Sequence, residues 1–80
     1  MMNLYVKLHC PWCVEAMAYL DQRGYRYTML DVLADPEQYA RMRELSGQSL
    51  TPTLEVEGKV LADFDTGQLS IFLEENQITP

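Results

Sequence analysis

Eighty residues, 48% of them hydrophobic, with a formal charge of −6, allow one globular domain (residues 1–80) with a modest core and exclude a disordered or fibrous chain. Six Lys and Arg scattered among twelve carboxylates exclude phosphate-backbone binding, which needs clustered cations, so no nucleic-acid partner is expected. No stretch approaches the roughly 20 apolar residues of a membrane span, and the start MMNL lacks the regions of a signal peptide, so a cytoplasmic chain without membrane contact is expected.

Leu4, Val6 and Leu8 alternate with Tyr5 and Lys7, which predicts a strand that ends at His9 and Cys10. Cys10 then stands where a helix begins, because Pro11 suits a first helical position whose N–H would have no partner. Val14, Met17, Ala18 and Asp21 share one predicted helical face, widened by Ala16 and Leu20, and Gly24 supplies the stop. YRYTMLDV at 25–32 is rich in β-favouring residues and predicts a second strand, parallel to the first. DPEQ at 35–38 predicts a second helix, with Asp35 as cap, Pro36 at the first position and Gln38 reaching back, ending near Gly47. TPTLEVEGKVLA at 51–62 predicts a hairpin turned at Gly58. DTGQ at 65–68, ahead of Leu69, Phe72 and Leu73, predicts a capping box and a final helix. The expected order is therefore βαβ, α, ββ, α: an α/β fold with a four-stranded mixed sheet and three helices.

The only two cysteines stand three apart in HCPWC. As a metal clamp the pair falls short, since zinc needs four ligands and only His9 stands nearby, so no metal is expected. As a staple it closes a loop too short to remove much unfolded-chain entropy. At a helix start, residues i and i+3 face the same way with Cβ atoms roughly 5–6 Å apart, which lets a disulfide open and close. A free thiol titrates near pH 8.5, and helix N-terminal N–H groups and nearby cations lower that value. Cys10 has the first turn and Lys7 at hand, which makes it the candidate nucleophile. Cys13, one turn deeper, is the candidate resolving thiol. His9 reads as a loop residue, and Trp12 as either a lid over the domain or a substrate contact.

Together, the strand, the CPWC turn, Lys7 three residues before Cys10 and the later TP hairpin resemble the glutaredoxins, over almost the whole chain. The resemblance implies a thioredoxin-like fold and a thiol–disulfide oxidoreductase serving electron transport and cell redox homeostasis, with Cys10, Cys13 and Lys7 as catalytic residues. It aligns the family's Thr-Val-Pro with Leu50, Thr51 and Pro52, which implies a cis bond before Pro52 and pairing of Thr51 with an extended substrate. It implies a substrate or glutathione site of Trp12, Thr51, Pro52, Asp65 and Thr66, with glutathione as co-substrate, no prosthetic group, protein disulfides or glutathione mixed disulfides as substrates and a monomeric chain. The glutathione glycine carboxylate would look to Lys7, Arg41 or Arg43. The pattern departs where the family's Gly-Gly falls on Ala62 and Asp63, which puts a negative charge beside a site for an anionic tripeptide. Two alternatives stay open. One is a module holding an iron–sulfur cluster between two chains through Cys10 and glutathione. The other is a dedicated electron donor reduced by thioredoxin reductase, a branch whose Ser-Gly-Phe segment has a counterpart in ADFDT. Phe64 within that segment reads first as a core residue.

Overall fold

The computed structural model describes residues 1–80 and contains, in chain order, β1 (Met2–Val6), α1 (Pro11–Gln22), β2 (Thr28–Asp31), α2 (Pro36–Ser46), β3 (Thr53–Val56), β4 (Lys59–Ala62) and α3 (Thr66–Glu75). The strands form one sheet in the order β2-β1-β3-β4. β1 runs parallel to β2 (Val6 opposite Asp31) and antiparallel to β3 (Tyr5 opposite Thr53), and β3 is antiparallel to β4. The order of elements along the chain, the parallel first pair, the hairpin and the mixed sheet are those that the sequence predicts.

The first strand departs from its predicted limits. It starts two residues earlier and ends at Val6, so Leu8 lies in a surface turn, 53% exposed. The alternation of Leu4, Val6 and Leu8 implied one dry and one wet face. In the fold Leu4, Tyr5 and Val6 are all buried, because β1 is a central strand covered on both sides. Leu4 and Val6 face a large core shared with Ala16, Leu20, Leu54 and Leu69, while Tyr5 meets Val32 and Met42 on the opposite face. Tyr5 keeps its polar end satisfied there by donating to Glu55 Oε1 at 3.2 Å. Asn3 donates to the same oxygen, and Arg41 pairs with the other carboxylate oxygen at 3.4 Å.

The buried stripe of α1 is also rotated from the predicted one. Cys13, Ala16 and Leu20 are buried and Met17 is half-buried, whereas Val14, Ala18 and Asp21 face solvent. A reduced cysteine packs as a small hydrophobe, and counting Cys13 as one moves the stripe to the observed face. The helix stops as expected at Gly24, whose φ of +78° lets Tyr25 N–H return to Leu20 C=O at 3.0 Å.

α2 is capped by Asp35, which accepts from Glu37 N–H at 3.1 Å, and it ends at Gly47. The return bond expected from Gln38 is not made; Gln38 contributes its N–H to Asp35 C=O instead. α3 does form the full capping box: Asp65 Oδ1 accepts from Gln68 N–H at 2.8 Å and Gln68 Oε1 accepts from Asp65 N–H at 3.0 Å. Its Leu69 and Leu73 complete the large core together with Phe64, which is buried. No helix is long and apolar enough to cross a membrane.

Candidate active site

The strand directions bring three chain segments to one rim of the sheet. β1 ends there at Val6, β3 begins there at Thr53, and β4 ends there at Ala62, since Tyr5 pairs with Thr53 and Thr53 with Ala62. Beyond β1 the chain turns, with Cys10 N–H donating to Lys7 C=O at 3.0 Å, and enters α1 with Cys10 at the N-cap and Pro11 at the first position. Ahead of β3 stand Thr51 and Pro52, joined by a cis peptide bond. After β4, Asp63 N–H donates to Pro52 C=O at 2.9 Å and fastens the third segment to the second.

Both cysteines are reduced, and they differ in accessibility: Cys10 is half-buried and Cys13 is fully buried. The Cys10 Sγ lies 3.9 Å from Thr51 C=O. Partial burial opposes ionisation of Cys10. That effect is outweighed by hydrogen bonding from the Cys13 thiol and N–H, the Thr51 hydroxyl and the Trp12 N–H, so the Cys10 thiol is pulled below the ordinary cysteine value. The thiol makes no formal capping bond, but the first-turn N–H groups of Trp12 and Cys13 favour its anion all the same. Burial pushes the Cys13 thiol up, and Cys10 adds to the rise. One accessible thiol that ionises readily therefore sits above one enclosed thiol that holds its proton.

The remaining residues singled out from the sequence are distributed around this pair. Trp12 is 54% exposed at the helix start. Thr51 and Pro52 are buried beside the cysteines. The Thr51 N–H has no acceptor within the chain, which leaves a backbone edge free to pair with an incoming strand. Asp65 lies across a cavity of about 150 Å³ from Trp12, and its carboxylate is engaged in the cap of α3. Thr66 begins that helix and does not line the cavity. The Lys7 ammonium turns toward α2 and the loop after it, donating to Ser49 C=O at 3.4 Å and standing 5.5 Å from the Tyr39 ring centroid. Its side chain is not among the groups that lower the Cys10 thiol. Arg41 is held by Glu55, and His9 is exposed in the turn before Cys10.

One supporting residue has no sequence signal. Gln48 braces the loop that carries Thr51: its Oε1 accepts from Leu50 N–H at 2.6 Å, and its Nε2 donates to Ser46 Oγ, Leu50 C=O and Thr53 Oγ1. A glutamine in a short polar loop follows no periodicity or cap pattern that would mark it.

Three comparisons place this geometry among known proteins. A relative in Clostridium pasteurianum, the uncharacterized glutaredoxin-like 8.6 kDa protein in the rubredoxin operon, is 27% identical over 75 residues, 94% of this chain and all of that protein. The crystal structure of the thioredoxin-like protein BC3987 superposes with a TM-score of 0.83 at 27% identity, over 91% of this chain and 100% of that one. The glutaredoxin-like NrdH-redoxin of Escherichia coli shares the fold at a TM-score of 0.78 and 19% identity, over 99% of this chain and 95% of its own. The glutaredoxin family model matches residues 3–61, a span that holds both cysteines, the cis proline and all four strands but the first residue of β1 and the last of β4; with its thioredoxin-like architecture, this chain is a member of the glutaredoxin family.

Proposed function

We propose that the protein is a dithiol thiol–disulfide oxidoreductase in which Cys10 attacks and Cys13 resolves. The observation that carries this reading is the pairing of a half-buried, easily ionised Cys10 with a fully buried Cys13 whose thiol stays protonated. The Cys10 thiolate attacks one sulfur of a substrate disulfide, that S–S bond breaks, and the departing thiolate takes a proton from water. Cys13 then gives up its proton and attacks Cys10 Sγ, and the second substrate thiol leaves. The protein ends with a Cys10–Cys13 disulfide, and two electrons have moved to the substrate. Thr51 and Pro52 guide the substrate backbone, Trp12 contacts it, and Lys7 holds the Ser49 side of the same loop.

For the return of electrons, the arrangement supports a protein reductase of the thioredoxin reductase type over glutathione. Lys7 and Arg41, two of the cations available for a glycine carboxylate, are engaged by Ser49, Tyr39 and Glu55. Asp63 and Asp65 border the place where the tripeptide's other end would sit. The E. coli NrdH-redoxin, whose structure was presented as the basis for a thioredoxin-like activity profile, offers a precedent for a glutaredoxin-like protein with thioredoxin-like behaviour.

Substitution separates the two sulfurs. Cys10→Ser is expected to abolish disulfide reduction, whereas Cys13→Ser is expected to stop after the first exchange and accumulate a mixed disulfide with the substrate, visible as an adduct by mass spectrometry. Full reducing activity in Cys10→Ser would refute the assignment. A coupled assay offering thioredoxin reductase or glutathione with its reductase identifies the electron source; faster turnover with glutathione would overturn the preference stated above.

A further inference from the structure

Three large apolar side chains on the segments that flank Cys10 and Thr51 are exposed. Leu8, in the turn before the cysteine, is 53% exposed, Trp12, two residues after it, is 54% exposed, and Leu50, next to Thr51, is 52% exposed. None of the three belongs to either core. Together with the unpaired Thr51 N–H, they make a docking surface for an extended polypeptide, and the charges around it decide what kind.

The ionisable side chains one turn along α1 from Trp12 and across the cavity it borders are carboxylates. Glu15 stands one turn along α1 from Trp12, on the same face, and both are exposed. Across the cavity of about 150 Å³ that Trp12 borders stand Asp63 and Asp65. Asp65 is engaged by the cap of α3. The Glu15 and Asp63 side chains bond to no group of the chain and form no ion pair. The cation nearest the thiol in sequence, Lys7, is turned to the other side and held by Ser49 and Tyr39. An exposed indole with carboxylates on its helix and across its cavity favours a cation, which gains from the ring quadrupole and from the charges together. It disfavours an anionic occupant by the same fields.

We infer that the protein selects disulfides borne on cationic polypeptide segments, a Lys or Arg beside the target cysteine packing on Trp12 between Glu15 and Asp63. This rests on the dithiol reading above and specifies its substrate class. The sulfur exchange is unchanged: two electrons pass from the Cys10–Cys13 dithiol to the peptide disulfide, yielding two peptide thiols and one protein disulfide.

The test uses pre-reduced protein in single turnover, so that no external reductant enters. The probes are symmetric disulfide dimers of acetyl-Leu-Xaa-Cys-Xaa-Leu-amide with Xaa as Lys, Gln or Glu, and glutathione disulfide. Released thiol is quantified after acid quench. The Lys peptide is expected to react about tenfold faster than the Glu peptide at low ionic strength, with glutathione disulfide among the slow substrates. That ratio should shrink to within about twofold at roughly 0.5 M salt, where exposed charges are screened. The double variant Glu15→Gln, Asp63→Asn should show the reduced ratio at low salt, since asparagine tolerates the left-handed backbone of Asp63 (φ +53°). Equal rates for Lys and Glu peptides, or a ratio unaltered in the double variant, would overturn the inference while leaving the dithiol chemistry standing. Failure to reduce any of the disulfides would overturn both.

Discussion

At Cys10, burial and hydrogen bonding pull in opposite directions, and the bonds prevail. Alkylation by iodoacetamide follows the thiolate fraction, so the rate for Cys10 is expected to reach half its plateau below the ordinary thiol value of about 8.5. In Cys13→Ala the midpoint should rise, because the Cys13 thiol is the largest of the lowering contributions. A midpoint above that ordinary value in the wild type would refute the assignment of the nucleophile. The sign for stability follows: a thiol lowered by folding adds stability to the reduced protein above its unfolded value, and that contribution is lost as pH falls through the folded value. At this scale the sequence was informative wherever a residue's role depends on its neighbours in the chain. Cys10, Pro11 and Cys13 define a helix start by spacing alone. The direction taken by the Lys7 ammonium depends on Ser49 and Tyr39, 42 and 32 residues away, and no local pattern encodes it.

Among the elements, caps and turns were the most legible, because their chemistry is confined to four or five consecutive residues. The Asp65–Gln68 box and the glycines at 24, 47 and 58 all serve as read. What local pattern does not encode is the buried surface of β1 and α1, since that is set by partners distant in sequence: α2 covers Tyr5, and Cys13 turns inward. The hairpin between β3 and β4 also has a feature hidden from simple turn rules. Glu57 and Gly58 both adopt positive φ, +51° and +78°, as a two-residue turn of the twist-matched kind requires. Glutamate is poorly suited to that region, whereas asparagine is well suited to it. Glu57→Asn is therefore expected to stabilise the protein by up to about 1 kcal/mol, measured by urea unfolding; a lower midpoint in the variant would contradict this reading of the turn.

Over the whole molecule, two cores share one sheet. The smaller holds only three fully buried residues, Tyr5, Val32 and Met42, with half-buried Leu30, Tyr39 and Leu45 packed around them. Met42 is the one fully buried side chain that α2 contributes. Met42→Ala is expected to cost about 2–5 kcal/mol, a large part of the stability of so short a chain. Val14→Ala, on the exposed side of α1, should change it by less than about 0.5 kcal/mol. Equal losses in urea unfolding would show the burial of α1 to be misassigned. The order of elements followed from the sequence because each announces its own start and stop. The second core did not, because Tyr5 reads locally as the wet position of an alternating strand.

That inward Tyr5 also bears on where chemistry can occur. With helices against both surfaces of the sheet, a molecule this small has no broad face left to offer a visitor. What remains is the border along which strands run out and loops take over, and there the Cys10 sulfur, the open amide of Thr51 and the carboxylates beyond β4 are gathered within one short stretch of perimeter.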